Sequence, residues 1–282
     1  MSRASKDTVS RKSWCGRALG LVLACFGIGA SAPVAAGSPY QLSWGTDGLV
    51  GGLGLGVAAT GHLLDSSVTP LTPEQVARLD CGGINALDAT TCDNWSPAVA
   101  TLSDVLVGTL IASPLLLALG EEVRADAVTY GVMYAETLVW AVFAPQIFKG
   151  TVQRTRPFVY GDEAPLEEQT APDARRSFLS GHTTAAFASA VFFASVYGAN
   201  HPDGASRGWV WGGALAAATT VGLFRYEAGK HFPTDILAGA ALGSLIGWGV
   251  PFFHRAGREA DGPQGSLGIG REGVLVSIGG AF

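Results

Sequence analysis

The chain has 282 residues, a formal net charge of −5 and only 15% charged residues, against about 25% in an ordinary soluble domain. The acidic balance, with no basic stripe and no interleaving of aromatic and basic residues, argues against a nucleic-acid partner. No repeat of solenoid period is present, and the length suits one large domain or two small ones.

The N-terminus reads as an export signal. Arg3, Lys6, Arg11, Lys12 and Arg17 form a basic region, Ala18 to Ala30 a short apolar core, and "PVAAGS" offers small residues for cleavage after Ala36. The alternative is an uncleaved membrane anchor over residues 1–36. Cys15 and Cys25 belong to this segment. Cys81 and Cys92 bracket "GGINALDATT". Outside the cytoplasm so short a loop is expected to close as a disulfide; in a reducing compartment the pair would be two free thiols. Without His or further Cys nearby, zinc is not expected there.

Six apolar stretches follow in chain order: Gly48–Leu64, Val105–Leu119, Ala127–Phe148, Thr183–Ala199, Gly208–Phe224 and Ile236–Phe253. Each is near the length of about 17 to 25 residues that crosses a bilayer as a helix. Glycine is frequent in them, as in membrane helices that pack closely. These features predict an all-α membrane bundle of six helices rather than a soluble helical core. Gly48–Leu64 is the weakest of the six, with six glycines and His62. Glu136, inside the third stretch, is expected to face other helices rather than lipid. Residues 37–258 form this helical domain. The tail, 259–282, is polar and flexible at first, then reads as a β-hairpin turning at Gly270–Gly273. One hairpin cannot make a barrel, so the tail is an appendage.

Three polar segments lie at the ends of these stretches. "KGTVQRTRP" places Lys149 and Arg156 after the third, "SFLSGHTT" opens the fourth, and "RYEAGKHFPTD" precedes the sixth. A bundle gathers all three at one face. Lys149, Arg156 and Arg225 supply cations. Ser180, Gly181 and His182 open a helix, whose free N–H groups and positive dipole end favour an anion. Pro233 suits a first helical turn and puts His231 just before another helix start. Such a set fits a phosphoryl group, whose transferring oxygens need dense positive charge. Two histidines offer a nucleophile and an acid. Asp235, one turn beyond His231, is placed to accept its other ring N–H and fix the tautomer. No cluster of Asp, Glu and His remains for a metal, and no cofactor is implied. Lys230 and Glu227 read as solvated loop charges; Arg154, Arg175 and Arg176 read as loop charges, with contact to lipid headgroups as the alternative; His62, His201 and His254 have no partners in the sequence.

Lys149-x6-Arg156-Pro157, Ser180-Gly181-His182 and Arg225-x5-His231-x3-Asp235 resemble the three-part signature of the type-2 phosphatidic acid phosphatase superfamily. The resemblance covers about Val105 to Phe253. One departure is Leu179, where the family often has Pro, and it bears on how the loop enters the helix. The resemblance implies that His231 is the nucleophile that becomes phosphorylated and that Asp235 orients it. His182 would protonate the leaving oxygen and then activate water, while Lys149, Arg156, Ser180, Gly181 and Arg225 hold the phosphate oxygens. It implies a metal-independent phosphatase of lipid phosphates or diphosphates, with membrane lipids as neighbours. Two other readings are a haloperoxidase-like enzyme holding vanadate in the same pocket, and a membrane protein that binds phosphate or lipid without catalysis. The first is disfavoured by the apolar stretches, the second by the His182–His231–Asp235 set. The export signal and the cysteine pair suggest a bacterial envelope enzyme of the inner membrane, with its site facing the periplasm. Six crossings after a cleaved signal would put the 149–181 loop inside. A Gly48–Leu64 helix that starts inside would put it outside, and the acidic Cys81–Cys92 loop, with Arg78 its only strong base, favours that arrangement. An N-terminal anchor combined with a Gly48–Leu64 segment that does not cross gives the same outcome.

Overall fold

The computed structural model describes residues 37–257 and the backbone of 264–270 and 273–279. The export segment 1–36, with its cleavage point and with Cys15 and Cys25, lies outside the described residues. Long helices dominate: α1 (Trp44–Asp65), α2 (Pro97–Ala112), α3 (Ala127–Val152), α4 (Gly181–Asn200), α5 (Arg207–Glu227) and α6 (Pro233–Phe253). α2 continues as a 3-10 stretch, Ser113–Leu119. Among the described residues, Pro97–Leu119, Ala127–Val159 and Pro233–Phe253 are long and apolar enough to cross a membrane by length and composition. Strands β1 (Gln264–Gly270) and β2 (Gly273–Gly279) pair antiparallel.

Local chemistry sets the helix starts. Ser43, Ser96 and Ser180 are N-caps whose side chains accept the backbone N–H of Thr46, Val99 and Thr183, satisfying one of the donors a first turn leaves unpaired. Pro97 and Pro233 take first-turn positions, where a missing N–H costs nothing. α3 ends at Gln153, which adopts a left-handed conformation with φ 46°.

The packing turns on α4, which contacts α2, α3, α5 and α6. Its Ala186, Ala188 and Ala194 are fully buried. Opposite them, α6 carries Gly239, Gly243 and Gly247, one per turn. A Cβ on Gly239 would come within 2.7 Å of the Ser180 carbonyl, and Cβ atoms on Gly243 and Gly247 would run into the carbonyls of Thr184 and Ala188. The two backbones therefore touch along the whole interface, the close approach that small-xxx-small spacing permits in lipid. Large apolar side chains point the other way. Leu102, Val105, Leu115, Leu116, Leu237 and Leu245 are all more than half exposed on the outer faces, far more apolar surface than a soluble monomer normally leaves uncovered.

The helices alternate in direction. Leu64 at the end of α1 lies against Gly150 near the end of α3. Asp104 early in α2 reaches Arg225 at the end of α5, and the Ser180 N–H that opens α4 bonds the Asp235 carbonyl in the first turn of α6. One end of the bundle therefore holds the ends of α1, α3 and α5 and the starts of α2, α4 and α6. At the opposite end, Pro39–Gln41 runs antiparallel to His254–Ala256, bridged at Tyr40 and Arg255.

Candidate active site

All three polar segments meet at the first of these ends. Lys149 sits in the last turn of α3, and a Cβ on Gly181 would lie 3.3 Å from its ammonium. Glycine at the start of α4 thus lets a cation and the helix's positive end share one spot. Arg225, in the last turn of α5, is 5% exposed and donates to Ser103 Oγ at 3.0 Å and to Asp104 Oδ1 at 3.4 Å. Arg156 is fixed by its Nε to the Asp173 carbonyl at 2.8 Å, by Nη1 to the Lys230 carbonyl at 3.0 Å and by Nη2 to Asp173 Oδ1 at 2.9 Å.

His231 is 1% exposed. Burial, followed by the charges of Arg156, Arg225, Lys149 and His182, holds its pKa well below the usual histidine value. Near neutral pH the ring is therefore uncharged. Its Nδ1 is 2.6 Å from the Ser177 carbonyl. A carbonyl only accepts, so Nδ1 carries the proton and Nε2 keeps a lone pair. This differs from the expected contact with Asp235, whose Oδ2 is 3.9 Å from Nδ1. Asp235 instead accepts from Ser177 Oγ, from the Phe232 N–H at 3.0 Å and from Arg154. Its influence on His231 passes largely through Ser177, which holds the ring with its carbonyl and the carboxylate with its hydroxyl. The Phe178–Leu179 peptide, where the motif departs from the family pattern, is cis.

His182, at the start of α4, has Nε2 2.8 Å from Asp104 Oδ1. Asp104 thus joins His182 and Arg225, yet it lies inside an apolar helix far from any motif, and nothing in its local sequence singles it out. Arg154 is not the solvated loop charge the sequence suggested. It bonds Asp235, Thr234 Oγ1 at 2.8 Å and Asp88 Oδ2 at 2.7 Å. Asp88 is fully buried and also accepts the Thr234 N–H at 3.0 Å. Lys230 is likewise not solvated: its ammonium lies over Trp95 at 4.7 Å and Phe158 at 4.4 Å, and partial burial with Arg156 nearby lowers its pKa to about 8. Arg175 and Arg176 are also held, by the carbonyls of Gln153 and Thr69 and by Asp65 respectively.

The loop between α1 and α2 braces this end. Cys81 and Cys92 are bonded to each other, and Asp88 lies between them. Just beyond, Asn94 Nδ2 donates to the Tyr226 carbonyl at 3.1 Å and Tyr226 OH donates to the Thr90 carbonyl at 3.0 Å. Gly229 has φ +65°, and a Cβ there would run into the Asn94 carbonyl. Glycine thus meets both a backbone and a packing demand two residues before His231.

In comparisons with known proteins, the model of the PAP2 superfamily matches residues 130–258. A lipid A 1-phosphatase of Porphyromonas gingivalis is 36% identical over 106 residues, which are 37% of this chain and 22% of that protein. The match thus spans about a fifth of that relative's length. A solved transmembrane PAP2-type phosphatidylglycerolphosphate phosphatase from Bacillus subtilis aligns over 71% of this chain and 94% of its own, at 23% identity and a TM-score of 0.39. All three polar motifs, from Lys149 to Asp235, fall inside residues 130–258, the part of this chain that is similar to the PAP2 superfamily.

Proposed function

We propose that this chain is an integral membrane phosphatase that hydrolyses a lipid phosphate or diphosphate through a phosphohistidine on His231, without a metal in the reaction. The substrate class is an amphiphile whose phosphate reaches a membrane face: phosphatidic acid, phosphatidylglycerol phosphate, an isoprenyl diphosphate or a lipid A phosphate. The observation that carries this reading is the neutral, buried His231 with its proton held at Nδ1 by the Ser177 carbonyl, amid three cations and a helix N-terminus. A site that only bound phosphate would gain more from a protonated histidine than from a lone pair.

In this mechanism His231 Nε2 attacks phosphorus while the bond to the lipid oxygen breaks. Lys149, Arg156, Arg225 and the Gly181 N–H at the start of α4, with Ser180 capping that turn, hold the phosphoryl oxygens as charge develops on them. His182, with its Nε2–H held by Asp104, has to enter this step as the imidazolium, which the Asp104 carboxylate and the substrate's phosphate both favour; its Nδ1–H then goes to the leaving oxygen. It then takes a proton from water, whose oxygen attacks phosphorus as the N–P bond breaks. Inorganic phosphate leaves and both histidines are restored. Asp235, Arg154 and Asp88 position His231 without touching the substrate.

The six long helices would all cross the bilayer, with the site and the Cys81–Cys92 loop on the same, periplasmic face. A disulfide at that face supports the placement, because disulfides persist in oxidising compartments.

The test is pre-steady-state phosphate transfer on alkyl and aryl substrates. His231→Ala should abolish turnover. His182→Ala should slow the first step on an alkyl phosphate by about a hundred- to ten-thousandfold, the usual worth of acid help, and largely spare an aryl phosphate. The aryl substrate should then give a burst of phenol followed by slow turnover. Vanadate should inhibit the wild type. An equal burst in the His182→Ala/His231→Ala double variant would remove His231 as nucleophile.

A further inference from the structure

At the end of the bundle remote from the phosphate site, three side chains from distant parts of the chain converge. Asp47 lies in the first turn of α1, Glu136 in the middle of α3 and His254 directly after α6. Since α6 has 21 residues, about 30 Å of helix separates them from His231. One ligand atom from each residue lies within 4.8 Å of the others. His254 Nε2 is 3.1 Å from Asp47 Oδ1 and 3.3 Å from Glu136 Oε2.

The protons decide what this cluster is. His254 Nδ1 is 2.8 Å from the Val250 carbonyl, which only accepts, so Nδ1 carries hydrogen. With the ring neutral, Nε2 presents a lone pair toward two carboxylates; with the ring protonated, it is their shared donor. Glu136 is fully buried, and among the described residues neither of its oxygens has a hydrogen-bond donor. A buried carboxylate without a donor is costly, and here it stands beside a second carboxylate and an imidazole nitrogen. A divalent cation resolves all three at once. Bonds of about 2.0–2.2 Å to oxygen and nitrogen place neighbouring ligand atoms about 3.0–3.5 Å apart, which fits the two measured separations. The surrounding bonds are those a metal site uses to orient its ligands: Val250 fixes the His254 ring, and the Ser43 N–H donates to Asp47 Oδ2 at 2.6 Å. Asp47 is 22% exposed at its side chain, which leaves a way in for the ion.

We propose that Asp47, Glu136 and His254 hold a divalent cation of the zinc or manganese kind, the class that one imidazole and two carboxylates suit. The ion ties the start of α1, the middle of α3 and the end of α6 into one clamp. The Pro39–Gln41 and His254–Ala256 pairing lies beside it. It takes no part in phosphate chemistry, so the inference stands apart from the reading of the active site.

The experiment uses the full chain purified in detergent, stripped with EDTA and desalted. Zinc or manganese chloride is then added, and retained metal and Tm are measured for the wild type, Asp47→Asn and Glu136→Gln. The wild type should retain one ion per chain and gain about 5 °C or more in Tm at metal a hundredfold above Kd. Both variants should lose retention and the gain. Asp47→Asn sits at the open edge of the cluster and keeps the test readable if Glu136→Gln does not fold. Initial phosphate release at low temperature should be the same with and without the ion. A stripped protein that retains no metal and shows no Tm response would mean that a protonated His254 bridges the two acids, and would overturn the proposal. So would full retention in both variants, which would put the ion elsewhere. A loss of phosphate release on stripping that Asp47→Asn does not reproduce would instead count against the metal-free hydrolysis.

Discussion

His231 is kept neutral by burial first and by surrounding cations second, and this has a consequence for stability. Its folded pKa lies below its ordinary value of 6.5, so the unfolded chain takes up a proton that the folded chain refuses. The contribution is complete above about pH 6.5 and is lost as pH falls, by at most about 1.4 kcal/mol per pH unit. The Tm of the wild type should therefore drop more steeply from pH 6.5 to 5 than that of His231→Gln. Parallel curves would mean that the ring titrates normally. At this scale the sequence was informative where roles are tied to spacing and silent where they are tied to distance in space. Lys149, Arg156, Ser180, Gly181, His182, Arg225, His231 and Asp235 fall in short patterns that bring them to helix ends. Ser177, Arg154, Asp88 and Asp104 act through partners between 54 and 146 positions away in the chain. Only the fold makes those pairings. Arg154, two residues before the motif arginine and followed by another charge pattern in "QRTRP", looks like any interfacial base until Asp88 and Asp235 are seen around it.

The elements were easier to read than their contacts. Each apolar stretch carries a long helix, because a run of about twenty apolar residues has little else to do with its backbone groups in lipid. Pro233 and the Ser180–Gly181–His182 opening were visible as helix starts, whereas Ser43, Ser96 and Pro97 were not singled out, and α1, α3 and α5 extend past their apolar stretches to take in Asp65, Lys149 and Arg225. The pairing of α4 with α6 was less legible, since glycine in an apolar run is common to membrane helices in general. Its geometry now makes a sharp expectation. Gly243→Ala adds a single methyl where the Thr184 carbonyl already stands. Overpacking of a tight core typically costs about 1–3 kcal/mol, and here the obstacle is backbone rather than a flexible side chain. The variant should melt several degrees lower and lose activity in proportion, since α4 carries His182, α6 carries Asp235, and His231 stands two residues before α6. Gly213→Ala on α5, where a Cβ would meet nothing within 4 Å, is the control. If both variants melt alike, the contact between α4 and α6 is looser than the glycines imply.

For the molecule as a whole, the alternation of helix direction links three things that composition left separate: the side on which the site faces, the compartment of the disulfide, and the course of α1. The sequence allowed a Gly48–Leu64 segment that stays out of the bilayer. In the structure α1 lies along α3 in the same direction, with Gly54 against Val139 and Trp140, and Gly61 against the Phe143 carbonyl. A helix of 22 residues is about 33 Å long, enough to cross. If α1 crosses with its neighbours, then Ser67 and Glu167 share the site face with the Cys81–Cys92 loop, while Gly45 and Asp203 lie on the other. Single cysteines at these four exposed positions, in a chain with Cys15 and Cys25 replaced by serine, can be probed in intact cells with a thiol reagent that does not enter the cytoplasm. Ser67→Cys and Glu167→Cys should react; Gly45→Cys and Asp203→Cys should react only after the cells are broken. The reverse pattern would put the site inside and the disulfide in a reducing compartment, where it would not persist. Labelling of Gly45→Cys together with Ser67→Cys in intact cells would show that α1 lies along the bundle without crossing, and the proposed metal clamp would then open to the same side as the phosphate site.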